Sequence, residues 1–150
     1  VSDRVLGYNR ALSDAGVNNR VSLVYYCHYS IAGGYQAAKQ ALSMSPRPTA
    51  LFAVNNFIAI GAMRAIRELG LKLVDDVSLV SFDDLPEDFV IEPFITVIKQ
   101  PAYEMGQQAC RLLLDRLNDS GPDEPQEIIL PVELILRASS GPPPVTPDSD

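Results

Sequence analysis

The chain has no tryptophan, one histidine and two cysteines, and none of its twelve lysines and arginines form a run. Each scarcity excludes a class of function. A single histidine, with no nucleophile-elbow motif and no Ser/His/Asp order, disfavours nucleophilic hydrolysis. His28 beside Cys27 lacks further ligands at metal spacing, so no metal is expected. Cys27 and Cys110 match no redox spacing and read as reduced, buried thiols. Gly33-Gly34 fits neither the dinucleotide nor the phosphate-loop pattern, and no cofactor is expected. With 19 acidic residues and a formal charge of −7, a nucleic-acid surface on this chain is unexpected. No apolar stretch reaches the roughly 18 to 20 residues of a membrane span, and the first residues are polar rather than signal-like. The expected location is cytoplasmic. The chain starts without methionine, which reads as a fragment or a processed product.

What is present is enough apolar residue, 47%, for one core in 150 residues. Thr49 to Asp84 carries the clearest pattern. ALFAV is a short buried-strand run, and Asn55 follows as a helix cap. Ile58, Ala62, Ala65, Ile66 and Leu69 then recur at helical spacing up to Gly70. VSLVSF is a second buried strand, ending in Asp83-Asp84. Upstream, Val5, Tyr8, Leu12 and Ala15 form one face of a helix over Asp3 to Ala15. A strand is expected over Val21 to Cys27, then a helix over Ile31 to Ser43 capped by Ser30, with Gly33 and Gly34 permitting close approach of a backbone or ligand. Downstream, Phe94 to Ile98 reads as a strand. Pro101 opens a helix with Met105, Ala109, Leu112, Leu113 and Leu117 as its buried stripe, and Glu127 to Arg137 gives two short strands parted at Pro131. The tail from Ala138, rich in proline, reads as disordered. Alternating helices and strands predict an α/β fold, a Rossmann-like parallel sheet with flanking helices and right-handed crossovers.

In such sheets ligands sit beyond the carboxyl ends of the strands. Arg4, Asn55, Asp83 and Gln100 all lie at the ends of elements, and their side chains are of the kind that bind hydroxyls through paired hydrogen bonds. Tyr29 offers a flat face for a sugar or a base. Asp83 and Asp84, as neighbours leaving a strand, point apart and do not form a catalytic pair. Asp83 is expected to face the ligand and Asp84 to lie in a turn.

Six stretches in order, RVLGY at Arg4 to Tyr8, the PxAxxAVNNxxAxGA pattern at Pro48 to Ala62, ELGL at Glu68 to Leu71, DVSLVSFDD at Asp76 to Asp84, ITVIKQP at Ile95 to Pro101 and PVELILRAS at Pro131 to Ser139, resemble bacterial transcription regulators of the LacI/GalR type. The resemblance implies a truncated periplasmic-binding-protein-like type I fold. It implies no enzyme, but effector binding and dimerisation in a repressor whose N-terminal helix-turn-helix, absent here, meets operator DNA. Arg4, Asn55, Asp83 and Gln100 would be polar contacts to a sugar or nucleobase derivative, with Tyr29 as the stacking aromatic. A sugar-binding protein of a transporter is the alternative.

Asn56, Ser81, Val74 and Ala102 depart from the family's usual Asp, Gly, Pro and aromatic. The resemblance divides the chain into an effector-binding subdomain at residues 1–100 lacking its first strand, elements returning to the other subdomain at 101–137, and a tail at 138–150. It further implies a slot between VSLVYYC and ALFAV. That slot would be filled by upstream chain, a neighbouring molecule or the C-terminal strand segment.

Overall fold

The computed structural model describes residues 2–17, 23–85, 94–122 and 124–144. Its elements are α1 (Ser2–Asp14), α2 (Ile31–Leu42), β1 (Ala50–Ala53), α3 (Asn56–Glu68), β2 (Ser78–Phe82), β3 (Thr96–Lys99), α4 (Ala102–Leu117) and β4 (Glu133–Ile135). The sheet order is β1-β2-β3-β4. Strand β1 pairs in parallel with β2, Ala53 beside Ser81. Strand β2 pairs in parallel with β3, Phe82 beside Ile98, and β4 runs antiparallel along the far side of β3. This is the expected α/β class with a mainly parallel sheet.

Local signals explain most boundaries. Ser30 Oγ accepts from Gly33 N–H at 3.0 Å and caps α2, and Asn55 Oδ1 accepts from Ile58 N–H at 2.8 Å and caps α3. Gly16 and Gly70 take φ of +68° and +69° just past their helices, the left-handed turn that glycine adopts without a Cβ clash. The apolar faces meet in a core of Ala59, Ala65, Val77, Leu79, Ile95 and Val97, all fully buried, so helix α3 and the central strands share one interior.

Helix α2 crosses α3 at glycine contacts. A Cβ on Gly34 would lie 2.5 Å from the Ile58 carbonyl oxygen, and one on Gly61 would run into the Ile31 carbonyl oxygen. The close approach that Gly33 and Gly34 permit is thus, at Gly34, that of a neighbouring helix backbone.

Several expectations are corrected. Residues 23–27 form no strand, and Val21 and Ser22 lie outside the described residues. A strand needs a ladder partner. The free edge of β1 faces a groove of about 300 Å³ that separates it from Leu23 to Cys27, with α1 and α2 contributing Val5, Tyr8 and Ala38. The groove lies on the side of β1 where the slot was expected. Its C-terminal candidate is ruled out, because β4 takes the opposite edge.

Helix α4 buries none of its residues, and Met105, Leu113 and Leu117 are exposed, since no other element covers that stripe. Its half-buried positions are Gln108, Leu112 and Asp115. Leu69 and Cys110 are exposed too. Residues 127–130 form no strand, so the two strands expected around Pro131 reduce to β4.

The tail, expected to be disordered from Ala138, is bonded to the sheet as far as Gly141, and residues 145–150 lie outside the described residues. Ser139 is fully buried: its hydroxyl donates to Leu79 O at 2.5 Å and accepts from Thr96 N–H at 2.8 Å, while its carbonyl accepts from Leu79 N–H at 2.8 Å. Composition misled here because hydrogen bonds to two strands, rather than apolar burial, hold the segment.

Two stability predictions follow from these contacts. Gly61→Ala should lower unfolding free energy by about 2 kcal/mol, because two helix backbones must separate to admit a methyl group; urea denaturation measures it. Ser139→Ala should cost about 2 kcal/mol by the same assay, as Thr96 N–H and Leu79 O lose a buried partner.

Candidate functional site

The parallel strands β1, β2 and β3 all end on one side of the sheet, and the chain leaves each with a polar side chain. After β1 comes Asn55. Its Oδ1 is committed to the α3 cap, while its Nδ2 has no partner among the described residues. After β2 comes Asp83, which takes φ of +68°. A non-glycine residue there needs support from its surroundings. That support is explicit: Asp83 N–H donates to Ile98 O at 2.9 Å, and the Ser81 hydroxyl lies 3.1 Å from Asp83 O. After β3 comes Gln100, whose Nε2 donates to Asp83 Oδ1 at 2.5 Å.

Arg4 reaches the same end from α1. Its Nη1 donates to Val54 O at 3.1 Å, and its guanidinium lies 3.9 Å from the centroid of the Phe82 ring. An arginine stacked on an aromatic and tied to one carbonyl is held in place with its charge intact. No carboxylate pairs with Arg4 among the described residues. Tyr29 stands, half exposed, beside Arg4 on the wall of the groove along β1.

All five side chains proposed from the sequence thus come to one region, though in two groups. Arg4 and Tyr29 border the apolar groove. Asn55, Asp83 and Gln100 lie across the strand ends and do not line it. With neighbouring strands about 4.8 Å apart, the polar row spans roughly 10 Å, the width of a monosaccharide ring with its hydroxyls. Arg4 Nη2, Asn55 Nδ2, Asp83 Oδ2 and Gln100 Oε1 keep hydrogen-bonding capacity among the described residues, and no described side-chain polar atom is buried without a partner. These four atoms are therefore at least partly accessible to solvent. The groove itself, lined by Leu51, Ala53 and Val54 beside aromatic and alanine side chains, suits apolar chain better than a polar ligand.

Asp84, expected in a turn, follows directly on the bend at Asp83, and its side chain accepts two hydrogen bonds from Arg137, Nη1 to Oδ1 at 2.8 Å and Nη2 to Oδ2 at 2.6 Å. Both side chains are mostly buried, with 29% and 17% exposure. The Arg137 hydrogen bonds hold the Asp84 carboxyl below the usual aspartate range against an opposing effect of burial. Asn56, which stands where an aspartate is usual in LacI-type sequences, donates through Nδ2 to Asp84 O at 3.1 Å. Arg137 was missed as a site residue. The available signal was a lone cation closing the apolar run ELIL.

No cluster of three or more histidine, cysteine or carboxylate side chains suited to a metal occurs among the described residues. Burial pushes the Cys27 thiol up, away from a reactive thiolate. Among the described residues no helix is long and apolar enough to cross a membrane.

The ion pair predicts a pH dependence. A depressed folded-state value means stability that is fully present above the ordinary aspartate value, about 3.9, and lost as pH falls through the lower folded value. Asp84→Asn should therefore destabilise the protein by about 2 kcal/mol at pH 7, and the gap between parent and variant should shrink as pH falls below about 4. Denaturation midpoints across that range measure it.

Residues 2–140 match the profile of the periplasmic binding protein-like domain. The chain is 33% identical over 138 residues to the HTH-type transcriptional regulator RegA of Clostridium saccharobutylicum, covering 92% of this chain and 41% of RegA. It is 35% identical over 136 residues to the HTH-type transcriptional repressor PurR of Escherichia coli, covering 91% and 40%. Among solved structures, a LacI family transcriptional regulator from Enterococcus faecium with bound ribose superposes with a TM-score of 0.81 at 30% identity, over 93% of this chain and 51% of that one. The regulator CelR in complex with cellobiose gives 0.83 at 31%, over 93% and 42%. The chain spans about two fifths of the length of these curated relatives. It belongs to the periplasmic-binding-protein-like domain family, in the form shared with LacI-family transcriptional regulators.

Proposed function

We propose that the chain supplies one wall of an effector site in a LacI-type transcriptional repressor, and that the effector is a small polyhydroxylated molecule, a sugar. The observation that carries this is the row of Asn55, Asp83 and Gln100 with Arg4 at its end, each holding uncommitted polar atoms at the carboxyl ends of parallel strands. In this reading Asp83 accepts from two hydroxyls, Gln100 and Asn55 donate and accept around the ring, and Arg4 supplies a fixed cation. Tyr29 covers the C–H face. The ribose and cellobiose complexes of the structural neighbours support the ligand class. A nucleobase derivative would use the same polar row.

Binding would act by population shift: a ligand held better by the closed arrangement of two subdomains moves a dimer between states of different operator affinity. The operator would be met through a helix-turn-helix outside this chain, in the cytoplasm. The groove beside β1 has the place and the apolar lining that a further strand of the sheet requires, which supports reading this chain as part of a larger binding unit. On its own the chain should bind weakly, having one wall of the cleft.

The test is calorimetry on the full-length protein with a panel of sugars and purines that includes ribose and cellobiose. Arg4→Ala and Asp83→Ala should each weaken the effector that binds by at least about tenfold, the scale of one hydrogen bond to a charged group. Unchanged affinity in both variants refutes the site.

A further inference from the structure

Arg137 bonds no member of the polar row itself, but it is tied to the residue next to Asp83. Its Nη1 donates both to Asp84 Oδ1 at 2.8 Å and to Ile95 O at 3.0 Å, and its Nη2 to Asp84 Oδ2 at 2.6 Å. One guanidinium thereby joins the residue after the β2 turn to the entry of β3. Its own backbone is held as well. Arg137 N–H donates to Thr96 Oγ1 at 3.0 Å, and Ser139, two residues on, is locked between β2 and β3. The Arg137 side chain therefore starts from a fixed base.

The residue next to this pair is Asp83, in the left-handed region at φ +68°. An aspartate left to itself returns to negative φ, and its carboxylate swings with it. Asp84 cannot follow such a turn without breaking two charge-assisted hydrogen bonds to Arg137 and one from Asn56. We infer that Arg137 is a positioning residue for the binding row: by clamping Asp84 it holds Asp83 in its turned conformation with the carboxylate on Gln100, so the C-terminal segment sets the geometry of the ligand-facing carboxylate.

The inference rests on the effector-site reading only for the purpose that the geometry serves. Its test needs no ligand. Hydrogen exchange of the Gln100 side-chain amide, followed by NMR in the ligand-free full-length protein, reads the Asp83–Gln100 contact directly, and the backbone amides of Ala65 and Ile66, buried in α3, report the core.

In Arg137→Met, Gln100 exchange should quicken by roughly tenfold beyond any change shared by Ala65 and Ile66, as local opening replaces a held contact. Arg137→Lys should behave in the same way, since a single ammonium cannot span both Asp84 oxygens and Ile95 O. Should Arg137→Met fold poorly, Asp84→Asn removes the charge pair with little change of shape and should give the same selective gain. Exchange at Gln100 that tracks Ala65 and Ile66 in these variants overturns the inference. A ligand panel without a binder would count against the effector reading and leave this result standing.

Discussion

Because Ala53 pairs with Ser81 and Phe82 with Ile98, the three parallel strands run out at nearly one level, and the chain must leave the sheet three times along the same rim. Every exit requires a residue that can satisfy free backbone groups at a helix start or a turn. Asn55 meets that need with a cap and Asp83 with a left-handed turn, and both keep polar atoms to spare. The site is thus a by-product of how parallel strands end. Arg4, anchored on Val54 O and Phe82, adds a fixed positive charge to this rim.

The rim is also held from behind. Arg137, Ser139 and Thr96 join the C-terminal segment to β2 and β3 through hydrogen bonds that need no apolar side chain. Asp84 takes its charge partner from this segment rather than from solvent. Two acids in different settings therefore sit side by side, Asp84 paired with Arg137 and Asp83 bound to Gln100. Adjacent positions on a strand exit point apart, so two neighbouring carboxylates can be given unrelated tasks without competing for one cation.

How much of this could be read from the sequence differs from element to element. The caps at Ser30 and Asn55, the glycine stops and the strands at 50–53 and 78–82 were legible because their causes are local. The gathering of Arg4, Asn55, Asp83 and Gln100 followed from alternation and parallel pairing, with the LacI-type motifs marking the same positions. What was not legible depends on partners far along the chain. Residues 23–27 look like a strand by composition yet lack a neighbour to pair with. The apolar stripe of α4 is not buried by any described element of the chain. Ser139 lies in a Ser-Gly-Pro tail whose composition gives no hint of a buried hydroxyl bridging two strands.

The position of that hydroxyl has a bearing on synthesis. Leu79 and Ser139 are 60 residues apart, as are, at a separation of 53, Asp84 and Arg137. During vectorial synthesis the parallel strands can be complete and their helices packed while the strand that closes the far edge is still in the ribosome. Until residues 133–140 emerge, β3 offers an unpaired edge and Thr96 N–H lacks its acceptor, so the nascent sheet has its greatest exposure to wrong partners late in translation. The β3 edge is closed by residues later in the chain than the core, through a few hydrogen bonds of long reach.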